Sequence, residues 1–158
     1  MSRAFVKEDD AAPQPTPERP VSAAPNLVTP RGARLIKDTI AQLQGRLVDA
    51  DDEEAESIRR DLRYWLSRQA SMRIVASSTA PEIVGLGTRV TIRRGTVDSV
   101  ITIVGEDESD PPNGRIAWTA PLARALAGAA AGDVVELETA GRREPVAVVA
   151  LSSDRGEL

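Results

Sequence analysis

Thr119-Ala-Pro-Leu-Ala-Arg-Ala-Leu-Ala-Gly-Ala-Ala-Ala-Gly-Asp133 decides how the second half of this chain folds. Pro121 suits the first position of a helix, where a missing N–H costs nothing. Leu122, Ala125 and Leu126 give that helix one apolar edge, and Gly128 can end it in a left-handed conformation. Gly132-Asp133 then turns the chain into Val134-Val-Glu-Leu137, a strand. Outward from this helix the period is two. Thr88–Arg93 and Val97–Val104 alternate around the turn Arg94-Gly95-Thr96, and Arg115–Trp118, Asp133–Glu138 and Pro145–Leu151 supply further strands. One short helix against an antiparallel sheet is an α+β arrangement.

Upstream, the period changes to that of a helix. Ile36, Ile40, Leu43, Leu47 and Ala50 recur at alternating spacings of four and three. Ala55, Ile58, Leu62, Trp65, Gln69 and Met72 repeat the pattern, which marks a narrow apolar seam of the coiled-coil kind. Thr29-Pro30 reads as a cap and first turn. The short connector between the two runs predicts an antiparallel helical hairpin over residues 29–78, with Gly45 as a place for a bend or close approach. Residues 1–28 hold Pro13, Pro15, Pro17, Pro20 and Pro25 and, up to residue 26, little that can pack beyond Phe5, Val6 and Val21, so a flexible Pro-rich tail is expected there.

Composition narrows the chemistry. The chain of 158 residues has no Cys and no His, which excludes thiol nucleophiles, imidazole bases and Cys/His zinc sites. Carboxylates remain as metal ligands, and they suit Mg²⁺. Phe5, Tyr64, Trp65 and Trp118 are the only aromatics. Net charge is −4, and the surplus lies in residues 81–158, with 8 basic against 12 acidic side chains. Such a balance argues against general binding to duplex nucleic acid. No apolar run resembles a membrane span or signal, so a cytoplasmic protein is expected.

The Pro121–Asp133 block, preceded by Ile103-Val-Gly-Glu-Asp-Glu-Ser-Asp-Pro111 and Gly114-Arg-Ile116, resembles the C-terminal domain of the GreA/GreB family of bacterial transcription elongation factors. Leu27-Val-Thr-Pro-Arg-Gly32 and Arg60-Asp-Leu-Arg-Tyr-Trp-Leu66 resemble the ends of that family's N-terminal coiled coil. The resemblance implies an FKBP-like fold for residues 82–153, and an exposed, acid-tipped hairpin before it. The fold name also suggests prolyl isomerisation, which an aromatic-poor domain with Trp118 alone does not support. The family's partner is bacterial RNA polymerase, whose β and β′ subunits form the secondary channel that the hairpin enters. The domain grips the rim, and the factor is no enzyme of its own. It stimulates the polymerase's intrinsic cleavage of backtracked RNA, its tip helping to hold an Mg²⁺ shared with the polymerase site. A metal pair of that kind stabilises both attacking and leaving oxygens. A monomer with no stably bound metal or cofactor of its own is expected.

Asp49, Asp51, Asp52, Glu53, Glu54 and Glu56 crowd the hairpin tip. The first five are the residues expected to act at the polymerase site. Acids also favour the N-terminus of a second helix, which accounts for part of the cluster. This tip lacks the family's Asp-x-Ser-Glu-Asn pattern, and the hairpin is shorter than the family's. Arg59, Arg60 and Arg63, continued by Arg68 and Arg73, read as a basic stripe on the returning helix, solvated or turned toward nascent RNA. Glu106, Asp107 and Asp110 in an acidic loop, with Pro121, Leu122 and Arg124 on the short helix, are the expected docking residues. The alternative is an interaction module that competes with longer Gre factors, or binds another protein, without stimulating cleavage.

Overall fold

The computed structural model describes residues 16–155, and Phe5 and Val6 of the expected tail lie outside them. The chain enters through β1 (Leu27–Val28) and α1 (Pro30–Leu47), and returns through α2 (Asp52–Ser71) and β2 (Arg73–Ile74). Thr29 caps α1 by accepting from the Gly32 amide at 3.0 Å, and Pro30 opens the helix. Asp51 caps α2 in the same way through the Glu54 amide at 2.8 Å. Ile36, Ile40, Leu43, Ala55, Ile58 and Leu62 are buried, with Leu47, Ala50, Trp65 and Met72 packed at the margins. That is the seam read from the spacing. Burying an aliphatic side chain of this size contributes about 1.5–3 kcal/mol, enough to hold two helices that are marginal alone. Gly45 is exposed, faces open space and lies within an uninterrupted helix, so the expected bend or close approach has no counterpart.

The second domain is one five-stranded sheet with a short helix, α3 (Pro121–Leu126). Its strands are β3 (Thr88–Arg94), β4 (Val97–Val104), β5 (Arg115–Ala117), β6 (Val134–Thr139) and β7 (Arg142–Ser153), ordered β5-β4-β3-β7-β6. The helix and strands expected from the sequence are present, and the α+β class holds. One edge departs from the antiparallel expectation: β5 pairs parallel to β4, with Ile103 opposite Ile116. The acidic loop between them is long enough to carry the chain back before β5 begins. The core joins Val90, Ile92, Ile101, Ile103, Leu137, Val146 and Val148 of the sheet to Ala123 and Leu126 of α3. Gly128 takes φ +78° just past α3, the left-handed stop that its position suggested.

Two features depart from the sequence reading. Residues 1–28 were expected as a flexible tail, whereas residues 16–28 lie along α2. Glu18 bonds Arg63, Asn26 bonds Arg68, and Leu27–Val28 pairs in parallel with Arg73–Ile74. Charged and amide side chains fix this segment, so its poverty in apolar residues did not leave it unattached. The two domains also meet closely. A Cβ on Gly105 would lie 2.6 Å from the Leu27 carbonyl oxygen, and one on Gly32 would lie 2.9 Å from a Glu108 carboxylate oxygen. Glycine at both positions lets the root of the hairpin press against the loop after β4.

Candidate functional site: the hairpin tip and the acidic clasp at its root

The tip carries its acids outward. Asp49, Asp51, Asp52, Glu53, Glu54 and Glu56 are all exposed. Asp51 is engaged as the α2 cap, and Glu54 pairs with Arg46 across the hairpin at 3.2 Å. Asp52, Glu53 and Glu54 occupy the first turn of α2, where the helix dipole favours them. Among the described residues, no three acidic side chains converge where a metal ion would sit. The tip therefore presents a field of negative charge, and a cation there would need ligands from elsewhere.

The acidic loop behaves in the opposite way: Glu106 and Asp107, expected as docking residues, are half-buried and turned toward the hairpin root. Residues 106–108 form a single tight turn that points into the hairpin root. Arg68 is 1% exposed and sends its Nε to the Asp107 carboxylate at 2.6 Å, with Glu106 at 3.6 Å. Its other guanidinium edge donates to the Asn26 side-chain oxygen at 2.7 Å, and the Asn26 amide donates back to the Arg68 carbonyl at 2.8 Å. The Tyr64 hydroxyl donates to the same Asp107 carboxylate. Burial, and then that bond to an anion, push the Tyr64 phenol up to about 12. Glu108, with its side chain only 1% exposed, accepts from the Thr29 hydroxyl at 2.5 Å and pairs with Arg31 at 2.8 Å and Arg115 at 3.5 Å. A buried guanidinium requires carboxylates around it, since an unpaired buried charge is costly. Glu106 and Asp107 supply them for Arg68, and Glu108 holds Thr29 and Arg31 beside them, so the loop is a clasp between domains.

Most of the basic stripe is likewise paired, Arg73 at its far end being exposed. Arg68 leaves it altogether, as a buried residue. Arg59 reaches Glu56 at 4.0 Å, Arg60 pairs with Asp61 at 3.0 Å, and Arg63 takes both oxygens of Glu18. Of the remaining docking candidates, Pro121 and Arg124 are exposed on α3, while Leu122 is half-buried against the core. Asp110 is half-buried and accepts from the Asn113 amide at 2.7 Å. Trp118 also packs on this core, and its indole N–H is buried without an acceptor among the described residues. Sequence reasoning missed the Asn26–Arg68–Asp107–Tyr64 network. The only signal for it was the surplus of acids in the 106–108 turn.

Residues 79–153 match the family model for the C-terminal part of the transcription elongation factors GreA and GreB. This domain is therefore of the GreA/GreB C-terminal kind. Among curated proteins, it is similar to GreA of Pseudomonas aeruginosa, 36% identical over 84 residues, which span 52% of each chain. It is also similar to GreB of Neisseria meningitidis, 28% identical over 151 residues that cover 80% of this chain and 93% of that one. The first of these matches spans about half the length of the relative. Among solved structures it is similar to GreA factor homolog 1 of Thermus thermophilus, with a TM-score of 0.41 and 18% identity over 82% of this chain and 100% of the other. No helix among the described residues is long and apolar enough to cross a membrane.

Proposed function

We propose that the chain is a cytoplasmic transcription elongation factor that binds bacterial RNA polymerase at its secondary channel, between β and β′, and modulates cleavage of backtracked RNA. The observation that carries this reading is the match of residues 79–153 to the GreA/GreB C-terminal domain. The hairpin supports it. Its first arm, 18 residues at about 1.5 Å per residue, extends roughly 27 Å and ends in exposed acids. With Glu106 and Asp107 turned inward, docking falls to the α3 edge, where Pro121 and Arg124 are exposed beside the half-buried Leu122, and to Asp110 in the loop before β5. The chain adds no catalytic residue of its own. The tip carboxylates act on Mg²⁺ and water at the polymerase site. The shortened hairpin favours a second reading, in which the chain fills the channel and competes with longer factors without stimulating cleavage.

Backtracked elongation complexes, with and without the full chain, test both readings. RNA shortening that accelerates several-fold, and loses that acceleration when Asp49, Asp51, Asp52, Glu53 and Glu54 are all changed to Asn, supports the first. Slowed shortening in the presence of a longer Gre factor, unchanged by the five substitutions, supports the second. Failure of immobilised chain to retain the β and β′ subunits from purified polymerase overturns both.

A further inference from the structure

Residues 16–26 are anchored unequally along α2. At one end Asn26 is buried, bonded both ways to Arg68, and continues into the β1–β2 ladder. At the other, the attachment is electrostatic and wet. Glu18 holds Arg63 through both carboxylate oxygens, with the two side chains 62% and 49% exposed. The Arg19 guanidinium sits 4.0 Å above the Tyr64 ring and 5.6 Å from that of Trp65, and meets Asp61 at 3.7 Å. Val21 is half-exposed and gives this end no apolar anchor. Ion pairs this exposed are individually weak and are screened by salt. The segment is thus a strap with a fixed hinge at Asn26 and a free end that can leave.

The surface beneath it is preorganised. The Tyr64 hydroxyl is fixed by Asp107, and its ring meets Trp65 edge to face at 5.2 Å. We propose that Arg63, Tyr64 and Trp65 form a recognition site for an extended peptide of a partner protein, one presenting a carboxylate followed by a guanidinium. Residues 18–22 occupy that site in cis as a detachable strap. The carboxylate forks onto Arg63, and the cation lies on the aromatic faces beside Asp61. Asp61 sets the ligand class: it welcomes the cation and repels a phosphodiester chain. Tethering gives the strap an effective concentration in the millimolar range, so it excludes a partner peptide that makes no contacts beyond these. A partner able to add contacts displaces it. The proposal rests on α2 and the 106–107 turn that braces it, with Ser22 of the strap donating to Glu106 at 3.0 Å, and it draws on neither the tip nor α3, so it stands or falls independently of polymerase docking.

The chain has two tryptophans, and only Trp65 lies near the strap, so its indole ¹⁵N–¹H signal reports occupancy while that of Trp118 reports folding. In the full chain carrying Glu18→Ala and Arg19→Ala, the Trp65 signal shifts while that of Trp118 stays. A synthetic peptide of residues 16–24, added in trans, returns it to the original position in a saturable way. Adding Arg63→Ala abolishes the return. An unshifted Trp65 signal in the double variant overturns the proposal, as does a peptide that never restores it. Restoration by a short single-stranded oligoribonucleotide at lower concentration than the peptide overturns the assigned ligand class.

Discussion

Removing the Arg68 guanidinium leaves the Asp107 carboxylate, 7% exposed, facing only the Tyr64 hydroxyl. Breaking a buried pair from one side costs about 3–5 kcal/mol, because the partner charge is stranded away from water. Arg68→Ala should therefore lower the unfolding free energy by about that amount in urea melts. Replacing Arg59, which is exposed on the same helix, should move it by less than about 1 kcal/mol. Tyr64 offers an independent readout of the same cluster. Its phenol titrates near 10 when unfolded and near 12 when folded, so the folded state holds its proton more tightly. The resulting stabilisation is fully present below about pH 10 and is lost as pH rises toward 12. As the chain's only tyrosine, Tyr64 can be followed by phenolate absorbance. The Asp107→Asn variant should bring its midpoint back toward the ordinary value.

The elements were legible wherever a period defined them. Alternating three-and-four spacing marks the Ile36–Leu43 and Ala55–Leu62 seam because only one face of each helix can meet the other. Leu62, 8% exposed, tests that seam: Leu62→Ala should cost about 2–5 kcal/mol in thermal or chemical melts, against a negligible change for Arg59→Ala. The α3 helix was legible from Pro121 and Gly128, which mark a start and a stop through backbone sterics alone. Nothing periodic announces a clasp. Glu106, Asp107 and Glu108 look like a solvated loop because their partners in the hairpin lie far away along the chain, and a row of acids has the same appearance whether or not a guanidinium waits for it. Arg68 was read into a solvated stripe for the same reason. The sequence gives its charge and its helical face, while its burial depends on where another domain lands. The strap escaped notice because a Pro-rich run of low apolar content satisfies the composition of disorder, even when amide and ionic bonds seat it.

Across the whole molecule, the clasp makes the hairpin and the sheet domain one thermodynamic unit. Asp107 and Glu108 belong to the sheet domain but bury their charge against Arg68, Thr29 and Arg31 of the other. Calorimetry of the full chain should show a single transition whose van't Hoff and calorimetric enthalpies agree. The isosteric pair Asp107→Asn and Glu108→Gln should separate it into two, the hairpin melting first because its core is smaller. A single transition in that variant would show that backbone packing at Gly32 and Gly105 suffices for the coupling. The parallel pairing of Leu27–Val28 with Arg73–Ile74 has a different kind of consequence. It places the hairpin's two ends side by side, so everything from Thr29 to Met72 is a closed excursion from one fixed point. Whole heptads can be inserted into or excised from both arms in step, and the root, the clasp and the sheet would not register the change. Arm length is thus a free variable of this architecture, a ruler that can be recut without rebuilding the hand that holds it.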